Sequence, residues 1–216
     1  MSDINKLLEN LTLEEKISLL TGFNSWYSNK IPRLKIPSIK MSDGPNGVRG
    51  DSTSGKSSAC FPCPISIGST WNKKLIKKIG VALGEEALDK DVDVLLGPTI
   101  NLHRHPLGGR HFENFSEDPV LTGEIAVAYV KGVQSKKVSA CLKHFVANDT
   151  EFERHTVSSN LDERTLREVY LLPFEMGVKK AKAKSVMSAY NKLNNIYCSS
   201  NEYLLVNILK EEWGFD

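Results

Sequence analysis

Val92-Asp93-Val94-Leu95-Leu96-Gly97-Pro98 is a short, nearly continuous apolar run stopped by Gly-Pro, and its reading decides the fold. A run apolar on successive residues suits a strand covered on both faces, not one with a wet side. Upstream, residues 73–90 carry Leu75, Ile76, Ile79, Leu83, Ala87 and Leu88 at helical spacing. Downstream, Asp118-Pro119 is a helix entry, with Asp as N-cap and Pro in the first turn of a helix reaching about Gln134. Further strands are expected at 38–42, near 64–68, at 137–142 and at 184–189, with helices over 162–182 and 201–213. Such alternation builds a parallel sheet covered by helices. The long loops follow strands and precede helices, as in a (β/α)8 barrel whose working loops crown its C-terminal face. Five strand candidates ending on a helix give an α/β chain that forms an incomplete (β/α)8 TIM-type barrel.

Ahead of this pattern, Thr12 and Glu15 form a capping box before Ile17, Leu19 and Leu20, and Gly22 supplies a stop. A Pro-punctuated segment from Ile31-Pro32 to Ile36-Pro37 leads into the first strand, and a Gly/Ser-rich loop covers 44–58. The 216 residues include 28 basic and 26 acidic ones, net +2, which gives no electrostatic ground for a nucleic-acid or membrane-surface partner. No apolar run approaches the ~20 residues of a membrane span. The start lacks a basic region followed by an apolar stretch, so a cytoplasmic location is expected. Of four cysteines, Cys60 and Cys63 form the one C-x-x-C pair. A zinc knuckle would need a second pair or suitably spaced histidines, so free thiols are expected.

The chemistry collects just after the strands. Asp43 stands in Ser42-Asp43-Gly44-Pro45-Asn46-Gly47; Asn101, His103, Arg104 and His105 follow 92–96, then Gly108-Gly109-Arg110. Lys143-His144 follow 137–142, with Asn148, Asp149, Glu151 and Arg154 in the loop beyond, and Tyr190-Asn191 follow 184–189. In a parallel barrel these strand ends converge. A pocket of Asp, Arg, Lys, His and Tyr suits a neutral polyhydroxylated ligand, because each hydroxyl wants a donor and an acceptor. Plainer roles exist for each residue. Asp43 before Gly-Pro could open a turn, and Tyr190 could be a core tyrosine with a satisfied hydroxyl. Arg110 with Glu113 or Asp118 reads best as a scaffold ion pair. Lys143 at a strand end is harder to dismiss, since a buried lysine needs a partner or a ligand. His103-Arg104-His105 also resembles a metal-binding pair, the basis of an alternative metal-dependent barrel hydrolase using His103 and His105. Against it, the pair lies beyond the strand and Pro106 follows at once. No phosphate loop or dinucleotide fingerprint occurs, and no cofactor is expected.

These segments resemble glycoside hydrolase family 3, of the β-glucosidase type. The matching stretches are Ser42 to Arg49, Leu96-Gly97-Pro98 with Asn101, Arg104 to Arg110, Phe112-Glu113 with Ser116 to Pro119, Lys143-His144-Phe145, and Met187 to Asn191. They occur in family order along nearly the whole chain. Lys143-His144-Phe145-Val146-Ala147-Asn148-Asp149 departs from the pattern of the family's N-acetylglucosaminidases and favours the β-glucosidase branch. The resemblance implies a retaining, exo-acting enzyme on a β-glucoside or small oligosaccharide. It implies that Asp43 binds hydroxyls far from the anomeric carbon. Arg104, Lys143 and His144 would bind neighbouring ones, and Arg154 and Tyr190 would line the same −1 subsite. It also implies that residues 1–216 stop before the strand carrying the nucleophilic Asp, with the acid/base Glu further on. The chain would then hold most of a sugar subsite and neither catalytic carboxylate. A non-catalytic carbohydrate-binding fragment or pseudoenzyme is the competing reading.

Overall fold

The computed structural model describes residues 4–49 and 56–216, so the middle of the Gly/Ser-rich loop lies outside the described residues. In chain order the elements are α1 (Ile4–Asn10), α2 (Leu13–Leu19), β1 (Met41–Asp43), α3 (Pro64–Gly68), α4 (Lys73–Asp89), β2 (Val94–Leu96) and α5 (Pro119–Gln134). There follow β3 (Ser139–Phe145), β4 (Ser158–Ser159), α6 (Glu163–Thr165), α7 (Leu172–Ala181), β5 (Ser185–Ser188), β6 (Lys192–Leu193) and β7 (Ile196–Tyr197). A π-wound stretch, Leu166–Leu171, joins α6 to α7, and a second π-wound helix, Tyr203–Glu212, comes after β7.

Strands β1, β2, β3 and β5 form one sheet in that order, and all are parallel. Met41 pairs with Val94, Val94 with Ser139, and Cys141 with Ser185. Neighbours in space are thus neighbours in sequence. The crossover helices pack in the same succession, α4 against α5 and α5 against α7. A doubly wound sheet would reverse its strand order at a switch point. Here nothing reverses, which is how an arc of barrel wall is built, with its helices outside and its loops at one end.

The middle of the arc is packed from both sides. β3 buries every residue after Ser139, and α5 buries Thr122, Gly123, Gly132, Val133 and everything from Ile125 to Val130. Helices α4 and α5 touch backbone to backbone. A Cβ on Gly132 would lie 2.4 Å from the Lys77 carbonyl oxygen and 2.9 Å from Gly80 Cα. Tyr129 of α5 reaches through the wall to donate its hydroxyl to the Pro45 carbonyl, 2.9 Å away. That bond ties a buried helix to the turn following β1. Its burial drives the Tyr129 pKa far up, so the phenol stays a donor.

One expected strand is a helix. Residues 64–68 form α3, because Cys63 is extended and Pro64 occupies the first helical turn with its φ already set. Ile65 and Ile67 alternate as in a strand, yet only Ile67 is buried. The other expected elements appear, with ends moved by a few residues. Thr12 and Glu15 make the reciprocal capping bonds of a capping box. A small second sheet of β4, β6 and β7 was not expected from the sequence; β6 and β7 form a hairpin across Asn194 and Asn195. All four cysteines are free thiols. Among the described residues no helix is long and apolar enough to cross a membrane.

Candidate functional site

At the C-terminal ends of the strands lies a cleft of about 840 Å³, whose lining includes Asp43, Arg110, Glu113, Lys143, His144 and Arg154. His155, Tyr190 and Tyr197 also line it. Each arrives by a definite route. Asp43 is the last residue of β1, and the turn after it uses Gly44 at φ 129°, where a side chain would strike the Gly47 carbonyl. Lys143 and His144 belong to β3 itself, while Tyr190 stands two residues past the end of β5.

Lys143 is only 3% exposed and places Nζ 2.8 Å from Asp43 Oδ1. The pair joins the first and third strands of the sheet. Burial alone would raise the Asp43 pKa; the Lys143 charge and hydrogen bond, helped by Arg49 at 3.9 Å, outweigh it and hold the carboxyl below its ordinary value. A partner of this kind offsets the desolvation cost of burying a lysine.

His144 is clamped by Asn101. The Asn101 side chain donates Nδ2–H to the His144 carbonyl at 2.9 Å, and its Oδ1 accepts the His144 backbone N–H at 2.8 Å. Those two bonds fix the amide's orientation, so Oδ1 also accepts from Nδ1 at 3.3 Å. Nδ1 therefore carries the proton and Nε2 is left as an acceptor. Burial, then the Arg110 and Lys143 charges, push the His144 pKa down to about 3. The ring stays neutral across ordinary pH. Two cis peptide bonds, Lys143-His144 and Phe145-Val146, flank this position.

Two guanidinium groups complete the polar lining. Arg110 gives Nε and Nη2 to the two oxygens of Glu113 at 2.9 and 2.8 Å, and Thr99 adds its hydroxyl to the same carboxylate. Arg154 gives Nη1 to Glu151 at 2.9 Å and lies over the Tyr190 ring, 5.3 Å from its centroid. His155 packs against the same ring, with centroids 4.7 Å apart. The cleft thus offers donors from Lys143, Arg110 and Arg154 and acceptors from Asp43 and His144. A ring of hydroxyl groups could satisfy both kinds.

Five of the six residues expected from the sequence meet here: Asp43, Lys143, His144, Arg154 and Tyr190. Arg104 does not line the cleft. It is exposed and rests over the Tyr170 ring at 5.7 Å. Arg110 stands in the cleft instead, and the ion pair with Glu113 that made it look like scaffold is what aims it there. Asp149 is set away from the cleft lining, and Asn101 acts through His144. Asp149 has one carboxylate oxygen buried with no partner, and burial raises its pKa to about 6 against the Tyr170 hydroxyl and the Arg104 charge. His103 Nε2 lies 2.9 Å from the His111 carbonyl and 3.2 Å from that of Asn114. A nitrogen facing two acceptors carries its proton and has no lone pair for a metal. His105 Nδ1 accepts the Leu107 backbone N–H.

The model of the glycosyl hydrolase family 3 N terminal domain matches residues 5–216. Beta-glucosidase of Rhizobium radiobacter is 56% identical over 215 residues, which is 99% of this chain and 26% of the relative. Thermostable beta-glucosidase B of Acetivibrio thermocellus is 49% identical over 99% of this chain and 29% of its own length. Among solved structures, the beta-glucosidase of Kluyveromyces marxianus in complex with glucose superposes with a TM-score of 0.96 at 44% identity, covering 100% of this chain and 26% of that one. Beta-glucosidase 3B of Thermotoga neapolitana in complex with glucose gives 0.94 at 47% identity, covering 98% and 32%. This chain spans about a quarter of the length of the curated relatives it matches. On sequence, on strand order and on the residues gathered at the strand ends, the chain belongs to glycosyl hydrolase family 3, within its N terminal domain.

Proposed function

We propose that the whole protein hydrolyses terminal β-glucosides with retention, and that these 216 residues supply the floor of its −1 sugar subsite. The observation carrying this reading is the Asp43–Lys143 pair beside neutral His144, all at the C-terminal ends of adjacent parallel strands. Asp43 offers acceptor lone pairs to two hydroxyl groups. Lys143, Arg110 and Arg154 offer charge-assisted donors that tighten as the sugar ring flattens toward an oxocarbenium ion. The relatives named beta-glucosidase, two of them solved with glucose, support glucose as the unit bound.

We further propose that the nucleophile and the acid/base carboxylate come from chain outside these residues. The cleft's own carboxylates are engaged. Lys143 holds the Asp43 carboxyl below its ordinary pKa, so it is no proton donor, and Glu113 has both oxygens committed to Arg110. Retaining hydrolysis needs a free carboxylate and a protonated one about 5 Å apart.

The test is release of p-nitrophenol from p-nitrophenyl β-glucoside by this chain and by the chain extended to the length of its relatives. Turnover by the longer protein alone is expected. Turnover by the 216 residues would place a working carboxylate among them and overturn the division of labour. Glucose binding with no turnover in the longer protein would select a binding function instead.

A further inference from the structure

Among the described residues that line the cleft, Lys143, Arg110 and Arg154 each have a carboxylate of their own. Lys143 has Asp43 at 2.8 Å, Arg110 has Glu113 at 2.8 Å, and Arg154 has Glu151 at 2.9 Å. Two cations stand just outside that lining: Arg49 is 3.9 Å from Asp43 with a side chain 77% exposed, where water screens it, and Lys192 lies over the Tyr197 ring, 4.8 Å from its centroid. The two arginine pairs are also built alike. Both are local, three residues apart in sequence, and each sits in a loop that meets the other. Gly109, beside Arg110, lies so close to Glu151 that a Cβ there would approach its Cγ to 3.2 Å. One carboxylate therefore holds Arg154 while packing under the loop that carries Arg110.

We propose that Glu113 and Glu151 are positioning residues that also set the charge preference of the cleft: by occupying Arg110 and Arg154 they keep it electrically balanced, so that it accepts an uncharged sugar and turns away one bearing a carboxylate. This rests on the β-glucosidase reading and deepens it. A guanidinium paired with a carboxylate, by two bonds for Arg110 and one for Arg154, still has N–H groups for hydroxyl oxygens, while its net charge toward an incoming anion is offset. An acidic sugar entering would bring an anion beside Asp43 and Glu113 with no unpaired lysine or arginine among the described lining residues to meet it, and like charges at such range are strongly unfavourable in a half-buried site. Replacing Glu113 by an isosteric amide removes one negative charge and leaves Arg110 with an unspent positive one. The cleft then has a place for a sugar carboxylate.

The experiment compares p-nitrophenyl β-glucoside with p-nitrophenyl β-glucuronide as substrates of the protein extended to the length of its relatives. The wild type is measured beside Glu113→Gln, Glu151→Gln and Glu113→Asp. The quantity read is the ratio of kcat/KM for the two substrates, which does not depend on how much of a variant is folded. Wild type is expected to favour the glucoside heavily. Glu113→Gln lowers glucoside turnover and moves the ratio toward the glucuronide by about tenfold, the worth of one charge-assisted hydrogen bond. Glu151→Gln moves it the same way by less, because Arg154 is the more exposed guanidinium, 38% against 25%. Glu113→Asp keeps the charge and so keeps the preference, even where its activity drops. Both substrates falling together in the Gln variants, with the ratio unmoved, would leave the carboxylates as loop supports and overturn the proposal. Equal use of both sugars by the wild type would overturn it too, with the glucosidase reading intact. A wild type that cleaves neither removes the glucosidase reading, and this inference with it.

Discussion

The centre of the barrel arc and the first twenty residues contain similar apolar side chains and treat them in opposite ways. On α5, Ile125, Val130 and Val133 are wholly buried. On α1 and α2 no residue is buried; Ile4 is 77% exposed, Leu13 68% and Ile17 54%. The difference is not in propensity or caps, since Thr12 caps α2 as completely as Asp118 caps α5. What α5 has is a covered face on each side, α4 on one flank, α7 on the other and the sheet beneath. Helices draw most of their stability from such packing. Where it is missing, local chemistry is all that holds the helix.

The largest effect that tests this contrast belongs to the centre. Gly132→Val inserts a branched side chain where even a Cβ would stand 2.4 Å from a backbone carbonyl that cannot move without shifting α4. The expected cost is about 3 kcal/mol or more, near the upper end of overpacking effects. A thermal or denaturant melt of the chain would show it. An unchanged midpoint would mean that α4 and α5 are looser than their backbone contact indicates.

The same contrast explains what could be read from sequence. Asp43, Lys143 and Tyr190 were legible because each stands at or just beyond the end of a short apolar run, where a parallel arc must bring them together. Arg104 and Arg110 share the long loop after β2, where no periodicity fixes the direction of a side chain. They were sorted only by contacts: the Tyr170 ring holds one, and Glu113, three residues on in a short helical turn, aims the other. Residues 64–68 alternate like a strand, and Pro64 after an extended Cys63 was the signal for a helix start instead. The β6–β7 hairpin also left a sign. Asn194 and Asn195 both take positive φ, 49° and 71°, the pattern of a tight hairpin turn that Asn tolerates best.

Asp149 sits where the packed wall gives way to loops, and its expected effect is intermediate. Its pKa is raised from 3.8 to about 6, chiefly by burial. A folded state that holds this proton more tightly than the unfolded one loses stability as pH rises. The penalty is absent below about pH 4, grows toward pH 6 and is complete above it. Asp149→Asn should therefore stabilise the chain at pH 7 by up to about 3 kcal/mol and leave it unchanged near pH 4. His144 slopes the other way. Its pKa falls from 6.5 to about 3, so acid favours the unfolded state and stability drops as pH goes down through that window. In the wild type the two slopes oppose between about pH 4 and 6. The Asn variant should expose the His144 slope alone, and chemical melts at closely spaced pH would show the curve steepen. Parallel curves for the two proteins would show that Asp149 keeps its proton no better folded than unfolded.

The smallest effects are expected at the N-terminus, and there their order should invert. Thr12 accepts the Glu15 backbone N–H, and the Glu15 carboxylate returns a bond to the Thr12 N–H while also holding Arg33. Thr12→Ala removes one arm of that box and should cost about 1 kcal/mol of local stability. Ile17→Ser, at a site 54% exposed, should cost less than about 0.5 kcal/mol, although the same change in α5 would rank among the worst. Hydrogen exchange at the α2 amides separates the two, because it reads opening of that helix without unfolding the arc. If Ile17→Ser opens α2 as much as Thr12→Ala does, this apolar face is covered in solution. The two regions would then differ in what covers them, and no longer in whether anything does.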